Sequence, residues 1–235
     1  ARSLGEDYGR YRRLIAPFVN RWPSFANNIL DAPLRLPRDP VSMARFGLRA
    51  MTPTTRLARR FKTESAKALL AGNAAHSGLP LERRPSAAIG ISLMTAGHAV
   101  GWPVPRGGAG ALTGALASMF RSLGGTIETG LPVESLDELP EARATLLALT
   151  RRQVATIAAD RLPSSYVSSL RDWQYGPGAF KVDWALDAPI PWLAAGVAQA
   201  ATVHLGGTLE EIASAERAPW DGKVADHPFV LLAQP

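Results

Sequence analysis

The chain has 235 residues, 46% of them hydrophobic and 20% charged, which suits one large domain or two modest ones with a real core and excludes disordered or collagen-like architecture. No apolar run approaches the roughly 18 residues of a membrane span, and the absence of cysteine removes disulfides, thiolate metal sites and cysteine nucleophiles. The net charge of +6 is uneven, because residues 1–62 hold 13 basic and 4 acidic groups while the remainder is slightly acidic. Arginine far outnumbers lysine, a GC-rich bacterial coding bias. The chain opens Ala1-Arg2-Ser3 without a charged-then-apolar leader, so the sequence predicts a cytoplasmic location and a processed form or excised piece.

Ser3 and Glu6 stand at capping-box spacing, and Tyr8, Tyr11, Ile15 and Phe18 follow at intervals of three and four, predicting a helix from about Leu4 to Val19. A short helix beyond Trp22 and Pro23 reaches Leu30, and Pro33, Pro37 and Pro40 then break the pattern. Asp39-Pro40 and Thr52-Pro53 each set a capping residue before proline, a helix-start signal. Thr63 caps a helix through Leu69 and Leu70, and Pro85 opens another through Ile89, Leu93 and Met94. The first hundred residues therefore read as all-α, about six helices.

Arg45, Arg49, Arg56, Arg59, Arg60 and Lys62 interleave with Met43, Phe46, Leu48, Leu57 and Phe61. That pattern reads first as a solvated arginine face over an ordinary core, and alternatively as a basic amphipathic patch in peripheral contact with an anionic membrane. No helix-turn-helix, zinc-finger spacing or RNA-binding strand signature accompanies the charge, so nucleic acid is not an expected partner.

From Val100 the texture changes. A glycine-proline loop leads into an apolar helix over residues 109–123, which Gly124 or Gly125 must end in a left-handed conformation. Residues 126–129, 133–136 and 144–149 read as short strands, with Thr150 capping a helix through Ile157; strand, helix, strand is an α/β rhythm. Phe180, Val182, Trp184 and Leu186 then alternate with Lys181, Asp183, Ala185 and Asp187, predicting a strand with a buried apolar face. Further strands at residues 202–205 and 229–233 flank a helix capped by Thr208 and Glu211. The fold class is thus α/β or α+β: a helical N-terminal part over residues 1–100, a partial α/β segment over 101–161, and a mixed or antiparallel sheet over 162–235.

His76, His98, His204 and His227 are too scattered for a local metal motif, and no G-x-S-x-G elbow supports a hydrolase. His204, in an apolar strand, reads as a hydrogen-bonded structural residue. Gly107, Gly108 and Gly110 form either a tight turn or an anion-holding helix start, though their spacing matches neither dinucleotide nor P-loop fingerprints. Lys181 and Asp183 are a cavity-lining pair if their strand borders a cavity, and a surface ion pair otherwise.

The run Trp102-Pro103 to Arg106-Gly107-Gly108, the helix with Leu112, Ala115, Leu116 and Phe120, then Gly124-Gly125-Thr126-Ile127 and Val133-Glu134-Ser135-Leu136, resembles the middle segment of the phytoene dehydrogenase-like FAD-dependent oxidoreductases, relatives of the flavin amine oxidases. Softer likeness continues through Ala144 to Leu162, Tyr175 to Trp184 and Val203 to Glu211. The resemblance implies two domains built from non-adjacent segments: residues 1–100 a helical substrate-domain cap, 101–161 a return to the FAD-binding domain, and 162–235 substrate-domain sheet. It implies FAD contacts at Val133, Gly107 and Gly108, substrate contacts at Trp102, Lys181 and Asp183, an apolar small-molecule substrate, and hydride transfer from carbon to flavin. The G-x-G-x-x-G fingerprint and the glycine-rich flavin-closing segment are absent, so the chain reads as a substrate-domain-containing fragment that holds no FAD alone and needs the remaining FAD-domain segments. The alternative is a non-enzymatic module of shared ancestry that binds an apolar ligand or partner.

Overall fold

A computed structural model of the chain describes residues 2–31 and 36–234, so the predicted break at Pro33 lies outside the described residues. The chain is helix-rich with a small antiparallel sheet, and it divides into two compact units: Ala1–Arg106 with Gly176–Pro235, and the inserted stretch Gly107–Tyr175.

Six helices build most of the larger unit: α1 (Tyr8–Val19), α2 (Trp22–Leu30), α3 (Pro40–Ala50), α4 (Thr54–Ala58), α5 (Glu64–Ala75) and α6 (Ala87–Ala99). The predicted start at Leu4 is corrected. Residues Arg2–Asp7 form a 3-10 segment broken at Gly5, whose φ of 53° is left-handed. Instead of closing a capping box with Ser3, Glu6 pairs with Lys62 Nζ at 2.9 Å, and Asp7 turns to the start of α5. Other signals hold. Asp39 and Thr63 cap α3 and α5 by accepting from Ser42 N and Ala66 N. The predicted Thr52 cap fails because its hydroxyl donates back to the Leu48 carbonyl, and Pro53 precedes α4 instead.

Tyr11, Leu14, Ile15 and Phe18 are the buried face of α1, as their spacing requires. They join Phe25, Leu57, Leu70, Leu81 and Ile91 in one core. The crossing of α5 and α6 is close, since a Cβ on Gly90 would lie 3.1–3.2 Å from Ala74. Across the core, the Tyr11 hydroxyl meets His98 Nε2 at 2.8 Å, and burial pushes that phenol up to about 12. The distal segment completes the same core. There β1 (Thr202–Leu205) pairs antiparallel with β2 (Val230–Ala233), and α10 (Leu209–Arg217) buries Leu209, Ile212 and Ala213 against α5. The Thr208–Glu211 capping box forms as predicted.

The predicted strand at 180–186 is not formed. Phe180, Val182, Trp184 and Leu186 are 96, 56, 79 and 56% exposed rather than buried, and the sheet among the described residues has two strands only. Alternation sets which side chains share a face, but a strand also needs a hydrogen-bonded neighbour, and none lies beside this segment. Trp184→Ala should therefore change stability by less than about 0.5 kcal/mol in urea denaturation. A loss of about 3 to 5 kcal/mol would restore the buried strand.

The inserted unit contains α7 (Gly108–Ser122), α8 (Arg151–Ile157) and α9 (Ser164–Arg171). Gly124, at φ 87°, ends α7 as expected, and Thr150 caps α8 in a box with Gln153. Helices α8 and α9 pack around Ala155, Val167 and Leu170, and the compact unit runs to Tyr175. The predicted strands at 126–129, 133–136 and 144–149 are absent, so the segment is not α/β as it stands; residues 136–138 form a 3-10 turn. Apolar residues of these stretches lack cover, Leu146 being almost wholly exposed and Ile127 and Leu149 partly so.

Candidate functional site

Residues Gly107 and Gly108 occupy consecutive left-handed conformations, with φ of 84° and 78°. This turn delivers the chain into α7, a helix of 15 residues with no side chain capping its start and no acidic residue in its first turn. The first amides of such a helix point outward with partial positive charge, a disposition suited to an anion. A Cβ built on Gly108 would meet nothing within 4 Å, so the turn stands open. Val133 lies outside any helix or ladder and is about one-third exposed, which leaves its peptide groups free of sheet pairing. Helix α7 buries none of its residues, although Leu112, Leu116, Met119 and Phe120 recur along it at intervals of three and four.

Trp102 belongs to the larger unit, where its indole rests against Gly97; a Cβ there would come within 2.7 Å of Nε1. Lys181 and Asp183 do meet, at 2.7 Å, but both side chains are about four-fifths exposed. The pair is a surface ion pair rather than the lining of a cavity, and such pairs contribute little to stability.

One polar arrangement escaped the sequence. His76, at the C-terminal end of α5, and His204, in β1, share a hydrogen bond between their Nε2 atoms at 2.9 Å, with ring centroids 4.8 Å apart. Gly72, one turn earlier in α5, admits the His204 ring, and Phe229 packs edge-on to it at 5.4 Å. One ring must donate and the other accept, so at least one is neutral. Burial lowers the pKa of both, and His76 lowers that of His204 further. Each folded value lies below the ordinary 6.5, so the unfolded chain binds protons first, and stability falls as the pH drops below 6.5. Urea midpoints measured at pH 7.5 and 5.5 should show this loss, and His204→Phe should shrink it. An equal loss in the variant would remove the pair as its source. Among the described residues no cluster of three or more metal-ligating side chains occurs, and no helix is long and apolar enough to cross a membrane.

Comparison with protein-family models gives no match to this chain, and neither the curated proteins nor the solved structures include a match. The functional reading therefore rests on residues and geometry.

Proposed function

We propose that this chain is part of a phytoene dehydrogenase-like, FAD-dependent oxidoreductase, contributing the substrate-binding side and one segment of the FAD-binding domain. The observation that carries this reading is the apolar face of α7, left without cover and followed by apolar segments that form no strand. Contiguous apolar surface of this kind marks an interface, and apolar segments that form no ladder of their own could take one from strands supplied elsewhere. The remaining FAD-domain segments of a parent chain would supply both. The insertion of one unit within another supports the same layout, because the family's two domains are each built from non-adjacent segments.

The residues present suit the cofactor in kind. Left-handed Gly107 and Gly108, the second with open space beside it, permit close approach, the amides of α7 favour an anionic group, and backbone at Val133 outside any ladder is available for hydrogen bonding. The flavin, when bound, would accept hydride from a substrate carbon, and the protein's part is orientation and exclusion of water. Exposed Phe180, Val182 and Trp184 supply apolar surface for the substrate side.

The isolated chain should not retain FAD. One backbone contact contributes about 0.5 to 1.5 kcal/mol net, against about 8 kcal/mol for a micromolar complex. After dialysis with FAD the protein should be colourless and its melting temperature unchanged; stable, stoichiometric flavin would contradict the fragment reading. Catalysis is tested on the product of the complete open reading frame that encodes this chain. Anaerobic mixing with an apolar polyene should bleach the flavin absorbance. Absence of flavin reduction by any of a panel of apolar substrates would favour a non-enzymatic, ligand-binding module.

A further inference from the structure

A cavity of about 390 Å³ in the larger unit is lined by Arg10, Arg13 and Leu14 of α1, Arg49 of α3, and Arg60 and Phe61 just beyond α4. Four of its six lining residues are arginines and none is acidic. Arg10 spends one nitrogen on the Asp7 carboxylate at 3.1 Å, whereas Arg13, Arg49 and Arg60 make no ion pair among the described residues. The Nη1 of Arg49 is buried and has no hydrogen-bond partner. Leaving a charged donor buried and unpaired is costly, and neighbouring like charges add to the cost. Burial, followed by the proximity of Arg45 and Arg60, lowers the pKa of Arg49. The Arg49 guanidinium also lies over the Phe18 ring, 5.9 Å from its centroid, a contact that accounts for one guanidinium and not for the gathering of four from three elements. A bound anion accounts for that gathering.

We propose that the cavity between α1, α3 and the end of α4 is a binding site for a phosphoryl group, with Arg49 and Arg60 as its principal anchors. A lone carboxylate offers a single negative charge, which would leave most of the four arginines uncompensated. A phosphate monoester brings a charge of about −1.5 to −2 and three acceptor oxygens, a closer match to several planar guanidinium forks. The volume lies within the range of about 300 to 1,000 Å³ typical of small-ligand sites. The same chemistry is available from a soluble phosphate ester or from a phospholipid headgroup, and exposed Val41, Leu48 and Met51 in and just after α3 give a lipid an apolar surface beside the arginines.

The test uses the 235-residue chain in two arms at matched ionic strength. The first titrates inorganic pyrophosphate by calorimetry and thermal melting. The second measures cosedimentation with phosphatidylcholine vesicles with and without phosphatidic acid. Binding in either arm that falls about tenfold or more in Arg49→Gln and Arg60→Gln, but not in Arg56→Gln, supports the site. Pyrophosphate binding identifies a soluble ester as a sufficient source, and binding confined to phosphatidic acid vesicles identifies a headgroup. Arg49→Lys, which keeps the charge and loses the fork, should also bind more weakly. No binding in either arm, or binding unaltered in both Gln variants, would overturn the proposal.

Discussion

Phe18→Ala is expected to destabilise the larger unit by about 3 to 5 kcal/mol. Phe18 is wholly buried at the last turn of α1. Its ring lies 5.1 Å from Phe25 of α2 and 5.8 Å from Phe46 of α3, and those two rings meet edge-on at 5.1 Å. One substitution therefore empties the point at which three helices converge. The loss exceeds transfer energy alone, because short helices held by each other's side chains cannot collapse around a cavity without giving up ring contacts elsewhere. Urea denaturation followed by far-ultraviolet circular dichroism measures it. A loss below about 1 kcal/mol would show that the aromatic cluster does not organise this end of the unit.

Asp7→Ala is expected to lower the melting temperature by about 5 to 10 °C. The Asp7 side chain is fully buried and accepts four hydrogen bonds: from Lys62 N at 2.8 Å, Thr63 N at 2.7 Å, the Thr63 hydroxyl at 2.9 Å and Arg10 Nη1 at 3.1 Å. It thereby satisfies amides at the approach to α5 and sets a negative charge at the positive end of that helix. Burial pushes its pKa up, but the donors from Thr63, Lys62 and Arg10 together outweigh burial and hold the carboxyl below its ordinary 3.8. A lowered folded value means that this stabilisation is complete above the unfolded value and is lost as the pH falls through the folded one. Asp7→Asn should remove that part of the acid sensitivity while keeping one acceptor oxygen. An unchanged acid-melting profile would show that another carboxylate governs it.

These two residues illustrate what was legible. Phe18 was marked as core by its interval from Tyr11 and Ile15, a local pattern that any chain writes along a buried helical face. Asp39, Thr63, Thr150 and Thr208 were legible for the same reason, since a cap acts within three residues of itself. Asp7 was not, because three of the four bonds it accepts come from residues 55 and 56 positions away. His76 and His204 are 128 residues apart and escaped likewise. The arginine cavity was half visible. Arg49 and Arg60 stood out within a basic run, but Arg10 and Arg13 join them only through the packing of α1.

The strands failed for a different reason. Period two in residues 180–186 and apolar runs in 126–149 encode what a strand would present, whereas a strand exists only where a neighbour takes up its amides. Local pattern cannot show whether that neighbour is present. In the candidate site, the glycine turn and the end of α7 were legible because Gly107, Gly108 and Gly124 each meet a backbone requirement on the spot. Exposure of the Lys181–Asp183 pair was not, since it follows from the unformed strand.

Flavin content of the product of the complete open reading frame tests the central claim most directly. The protein should purify yellow, with about one FAD per chain released on denaturation, while the 235-residue chain alone carries none. A complete product that is colourless and gains no thermal stability from added FAD would contradict the account.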